Sequence, residues 1–164
     1  MANTDVTLGG ASTELLTIQE RTNGFTHKFE IDHTDIDEGT GTDDTVTVTL
    51  GSLPTNFVVT KCFLYIKEAF DYSGDEAGTL TVQVGTDGDP NNFAAAASLI
   101  TTGTPVAAGT VVGAASGVIP TAAGSAGESG DALEALFTNS AAGSPSLLNV
   151  GKLVILMEIG EDLL

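Results

Sequence analysis

Alternation of apolar and polar residues with period two dominates this chain and predicts strands. In FTHKFEIDH, Phe25, His27, Phe29, Ile31 and His33 fall on one face and Thr26, Lys28, Glu30 and Asp32 on the other, the pattern of a half-buried strand. TVTVTL at 45–50 repeats it, with Val46, Val48 and Leu50 inward and Thr45, Thr47 and Thr49 outward, and β-branched residues suit both sides. LGSLPTN reads as a turn through Leu53-Pro54. In FVVTKCFLYIKEAF at 57–70 both parities are apolar: Val58, Cys62, Leu64 and Ile66 on one, Phe57, Val59, Phe63 and Tyr65 on the other. That strand is covered on two sides. TLTVQV at 79–84 sets Leu80, Val82 and Val84 inward, and GTDGDP closes it with turn chemistry.

The second half is less regular. Asp89-Pro90 reads as a helix N-cap followed by a proline at the first helical position, which predicts a short helix over NNFAAAASLI with Phe93, Ala96 and Ala97 on its buried side. Residues 101–120 hold enough Val, Ile and Thr for two short strands around Val106, Val111, Val112, Val118 and Ile119. DALEALFTN at 131–139 fits a helical turn or a strand, and its tight frame of Gly130 and Asn139 favours a strand. A turn is expected at Asn149-Val150-Gly151, followed by a final strand with Leu153, Ile155, Met157 and Ile159 on one face and Val154 and Leu156 on the other. About eight short strands and one short helix predict an all-β fold, an antiparallel β-sandwich or jelly roll. At 164 residues the chain suits one domain at 23–164, preceded by an N-terminal arm at 1–22 whose strong apolar anchors are Leu15, Leu16 and Ile18.

Charge changes the picture more than composition does. With 22 acids against 5 bases the formal net charge is −17, which argues against nucleic acid as a partner, since binding its backbone depends on Lys and Arg. Yet residues 90–127 contain no Asp, Glu, Lys, Arg or His. This run of Ala, Gly, Thr, Ser and Val offers small side chains and backbone for packing against other protein and no catalytic chemistry. Gly, Ser, Thr, Pro105 and Pro120 break it up, so it is not a membrane span, and the N-terminus lacks the pattern of a secretory signal. The lone Cys62 forms no intrachain disulfide, which suits synthesis in a reducing cytoplasm.

Candidate chemistry is sparse. His27 and His33 are six residues apart on a strand, about 20 Å at roughly 3.3 Å per residue, too far to share a metal ion. Cys62, inside an apolar strand, is a small hydrophobe rather than a nucleophile. Neither a nucleophile elbow nor a phosphate-binding loop occurs, and an enzyme is not expected. The acids of IDHTDIDEGTGTDD, chiefly Asp32, Asp35, Asp37, Asp43 and Asp44, are the weak candidates for calcium, the one cofactor considered, although EF-hand spacing is absent.

HKFEIDH, TVTVTLGSLPTNFVV, KEAFDYSGDEAGTLTVQVGTDGDPNNFAAAASL and the closing GKLVILMEI together resemble small virion structural proteins of tailed bacteriophages, over most of residues 25–159. The resembling steps are a strand ending in Phe70, a small-residue loop, the strand through Val82 to Gly85, and Asn92-Phe93. The resemblance implies a head decoration, or cement, protein: a β-sandwich oligomer, commonly trimeric, made in the host cytoplasm and bound to the major capsid protein on the outer capsid surface. The long Ala/Gly run and the acidity depart from that pattern. On this reading the contacts come from Leu15, Leu16 and Ile18 of the arm and from Phe93, Val106, Val111, Val112, Val118 and Ile119 of the uncharged run. The alternatives are another virion component (tail, portal-proximal or fibre) and a calcium-dependent carbohydrate-binding β-sandwich. The latter needs exposed aromatic residues, and the chain has no Trp and only two Tyr.

Overall fold

The computed structural model describes residues 4–7, 21, 23–36, 45–52, 57–73, 78–116, 132–139 and 148–161. Among them are ten strands: β1 (Thr4–Thr7), β2 (His27–Asp32), β3 (Thr45–Ser52), β4 (Phe57–Tyr72), β5 (Leu80–Thr86), β6 (Asp89–Thr101), β7 (Thr104–Pro105), β8 (Val111–Ser116), β9 (Ala132–Asn139) and β10 (Leu148–Glu161). A single 3-10 turn, His33–Asp35, follows β2.

The pairing is nested. β5 pairs with β6 across the two-residue loop Asp87-Gly88, and outward from that hairpin β4 pairs with β8, β3 with β9 and β2 with β10, all antiparallel. This is one long antiparallel ribbon rolled up on itself. Two further antiparallel pairings, β5 with β9 and β4 with β10, join the rolled ribbon into two sheets. Sheet A runs β1-β3-β9-β5-β6-β7 and sheet B runs β2-β10-β4-β8. Setting aside the short β1 and β7, the remaining eight strands have the order of a jelly-roll sandwich.

Between the sheets lies an aliphatic core with a few Phe. Phe29, Ile31, Leu64, Ile66, Phe70, Leu153 and Ile155 point in from sheet B, and Val46, Val48, Leu80, Val82, Phe93, Leu133 and Phe137 from sheet A, each at most 6% exposed. Each such side chain contributes about 1.5–3 kcal/mol by leaving water. At one end, Tyr72 of β4 donates its hydroxyl to the buried Asn139 of β9, tying the sheets together.

The expected helix at 90–100 is strand β6 instead, and the reason lies in its register. Pairing with β5 shifts at three points, so burial along β6 falls on Phe93, Ala94, Ala97, Leu99 and Ile100 rather than on alternate residues. The spacing of Phe93, Ala97 and Ile100 imitates a helix face, but it is a bulged strand's. Pro90 is accommodated near the strand's start, where its missing N–H matters least. Nor is Asn149-Val150-Gly151 a turn. It is a bulge within β10, where the register against β4 shifts on either side of Val150 and Gly151 takes φ +140°. β2 stops at Asp32, so His33 opens the 3-10 turn and does not share a strand face with His27. Lys28 and Thr47, expected outward and exposed, do face outward but are buried, at 8% and 4% exposure. Thr4–Thr7, within the expected arm, pairs in parallel with β3 as the edge strand of sheet A.

Candidate interaction faces

The cross-strand registers place the outward side chains of sheet B in rows. Glu30, Val154, Tyr65 and Val111 form one row, and Lys28, Leu156, Phe63 and Ala114 the next. Near the β8 edge these rows are apolar, and near β2 they are charged. The flanks are closed by ion pairs. Lys61 meets Glu158 at 2.8 Å, and Glu30 takes Lys67 at 2.5 Å and Lys152 at 3.7 Å. Burial works to raise the Glu30 carboxyl, but the Lys67 hydrogen bond and the charges of Lys67, Lys152 and Lys28 outweigh it and hold Glu30 below its usual range. Val154 is fully buried and Leu156 is 7% exposed although both face away from the core; their cross-strand neighbours are Glu30 and Tyr65 for Val154, and Lys28 and Phe63 for Leu156.

A strap at residues 23–26 completes this face. Gly24 adopts φ +86°, a conformation that favours glycine, and turns the chain back over β10 and β4. A side chain there would also meet the Lys61 ammonium, 2.7 Å from an ideal Cβ. The Thr26 N–H donates to Met157 O at 2.9 Å, and its hydroxyl accepts from Ile159 N at 2.8 Å. Phe25 is thereby set edge-on against Phe63, ring centres 5.4 Å apart, with the Lys61 ammonium 5.9 Å from its centroid. The result is a groove of about 320 Å³ lined by Asn23, Phe25, Lys61, Phe63, Tyr65, Val111 and Leu156.

A second concavity lies where the edges of the two sheets approach. Residues 91–96 of β6 and 112–114 of β8 enclose about 410 Å³ without a charged side chain. This is where part of the uncharged run comes to rest. Ala95 and Ala96 are exposed there, and the Asn92 side-chain oxygen is buried without a hydrogen-bond partner among the described residues. A buried acceptor left unpaired costs about 1–3 kcal/mol.

The expected contact residues are dispersed. Phe93 is 1% exposed and belongs to the chain's own core, because the bulged register turns it inward, so it offers no surface to a partner. Val106 and Val112 pack against the core from its margin. Val111 is 56% exposed on the outer face of sheet B. Leu15, Leu16, Ile18, Val118 and Ile119 lie outside the described residues. The sequence pattern does not announce the groove, although it places Phe63 and Tyr65 on a second covered side of the strand at 57–70 and Leu156 on the opposite face of the final strand.

Asp32 and Asp35 serve the 3-10 turn. Asp32 accepts from the Thr34 N–H at 2.8 Å, and Asp35 accepts from the Asp32 N–H at 2.9 Å, a reciprocal capping box. Burial raises the Asp35 carboxyl; for Asp32, hydrogen bonds from Thr34 outweigh burial and lower it. Asp37, Asp43 and Asp44 lie outside the described residues, and among the described residues no three His, Cys, Asp or Glu stand together to hold a metal ion. Cys62 is fully buried, and burial pushes its thiol up to about 12. Burial likewise lowers His27. Among the described residues no helix is long and apolar enough to cross a membrane.

No protein-family model and no curated protein sequence matches this chain. Among solved structures, the chain is similar to that of the infectious bursal disease virus Gx strain (16% identity, TM-score 0.33, covering 79% of this chain and 29% of that one). The Gt strain of the same virus gives 16% identity and a TM-score of 0.31, covering 79% and 30%. The VP2 subviral particle of infectious bursal disease virus gives 16% and 0.30, again covering 79% and 30%. This chain thus spans under a third of those chains, and superpositions this loose carry no argument about function.

Proposed function

We propose that this chain is a virion structural protein of the decoration type, which docks on the outside of an assembled phage head and stabilises it. The observation that carries the reading is the uncharged concavity between β6 and β8 on a chain of net charge −17. Its small side chains allow close approach of another protein's backbone. The jelly-roll order suits such a role, because that architecture serves in viral shells, although it also occurs in lectins and cupins and decides nothing alone. The major capsid protein is the partner in this reading, and the mechanism is linkage. A protein that binds the assembled shell better than its free subunits shifts the equilibrium toward the shell. Catalysis has no part in the reading.

The test is co-sedimentation with empty heads of the virus whose genome encodes the chain, set beside binding to its unassembled capsid subunits. Binding to heads alone is expected, with loss of binding in Ala96→Glu, which puts a charge into the concavity. Equal binding to both, or to neither, sinks the proposal.

A further inference from the structure

We infer that two copies of this chain pair through the outer face of sheet B, independently of any docking to a shell. Val111 is, among the described residues, the one large hydrophobic side chain that is exposed, at 56%. It lines the 320 Å³ groove together with Phe63, Tyr65 and Leu156. A knob and a hole side by side on one face are self-complementary. Under a two-fold axis, Val111 of each copy enters the groove of the other, and a closed isologous contact results. β8 is the edge strand of sheet B, so the knob is set at the rim, within a partner's reach.

All four lysines of the chain, Lys28, Lys61, Lys67 and Lys152, project from this face. Against them stand Glu30, Asp32, Glu68, Asp71 and Glu158, so these side chains sum to +4 − 5 = −1 and the remainder of the chain carries −16 of the net −17. Among the described residues this nearly neutral face is therefore where two such molecules repel one another least. The rows of Lys and Glu, already paired within each copy, need no partner charge, and burial of the aromatic strip supplies the attraction.

An apolar contact between two acidic particles tightens as salt screens their repulsion, whereas capture of an acidic segment by the lysines weakens. The experiment is sedimentation velocity on the full chain over a concentration series, from about 0.1 M to 1 M salt, where the Debye length falls from about 10 Å to 3 Å. A reversible dimer is expected, with affinity rising with salt. Val111→Asp should weaken it at least ~10-fold, as removal of an anchor does, while leaving the far-ultraviolet circular dichroism spectrum of the folded chain unchanged. Ala95→Asp, on β6 and away from this face, should leave the dimer intact. A monomer at every concentration, the mass of a trimer, a dimer indifferent to Val111→Asp, or association that weakens with salt would each overturn the inference.

Discussion

Replacing Gly151 by alanine tests the fold where its geometry is most demanding. Gly151 sits in the β10 bulge with φ +140°, and an added methyl would drive into the ring and Cα of Phe70, a fully buried core residue. Two costs follow. Holding a non-glycine residue in so sparse a backbone region costs about 1–3 kcal/mol, and overpacking against a core ring costs about 1–3 kcal/mol more. The sum, roughly 2–6 kcal/mol, is a large share of a typical total stability of about 5–15 kcal/mol. Gly160 provides the internal control. It lies on the same strand with open space around its Cβ position, so Gly160→Ala should stay within about 0.5 kcal/mol of the parent. Urea unfolding followed by far-ultraviolet circular dichroism, at one protein concentration throughout, compares the three proteins. Equal midpoints for Gly151→Ala and the parent would refute the bulge and the Phe70 contact together.

Other outcomes follow from the same coordinates. Phe137→Ala removes a fully buried ring from between the sheets and should cost about 3–5 kcal/mol in the same urea assay. Tyr72→Phe strands the buried Asn139 oxygen, and a loss of about 1–3 kcal/mol is expected by thermal or urea unfolding. Cys62, its thiol pushed up to about 12 by burial, should resist a thiol-specific chromogenic reagent in the native protein and react at once in denaturant. Glu30 is held below its unfolded value, so its contribution is present above the unfolded pKa of about 4.3 and is lost as pH falls through the folded value. Glu30→Gln should therefore flatten the acid limb of a stability–pH curve, and an unchanged limb would remove Glu30 from the account.

Strand content was legible wherever pairing is regular. Val46, Val48, Leu80, Val82, Val84, Leu153, Ile155 and Met157 alternate along the chain and lie in the core, because an uninterrupted ladder preserves period two. It failed where bulges intervene. Asp89-Pro90 reads as a helix cap and Phe93, Ala96 and Ala97 as one helix face, but pairing with β5 overrides that local signal, burying Phe93 and Ala97 and leaving Ala96 exposed. The bulge at Gly151 looked like a turn because glycine marks both. The jelly roll itself rests on nested long-range pairing that no local pattern states, although Asp87-Gly88 at the ribbon's tip is a strong hairpin signal. As for the candidate faces, the uncharged run was plain in the sequence, whereas the collection of every lysine on one sheet depends on registers between β2, β4 and β10.

The most direct measurement of the proposed role is an image of the virion at a resolution that traces chains. The account predicts this jelly roll on the outer surface of the head, with the concavity between β6 and β8 seated on the major capsid protein. Density for the chain in the tail or the interior of the head, or that concavity turned to solvent, would contradict it.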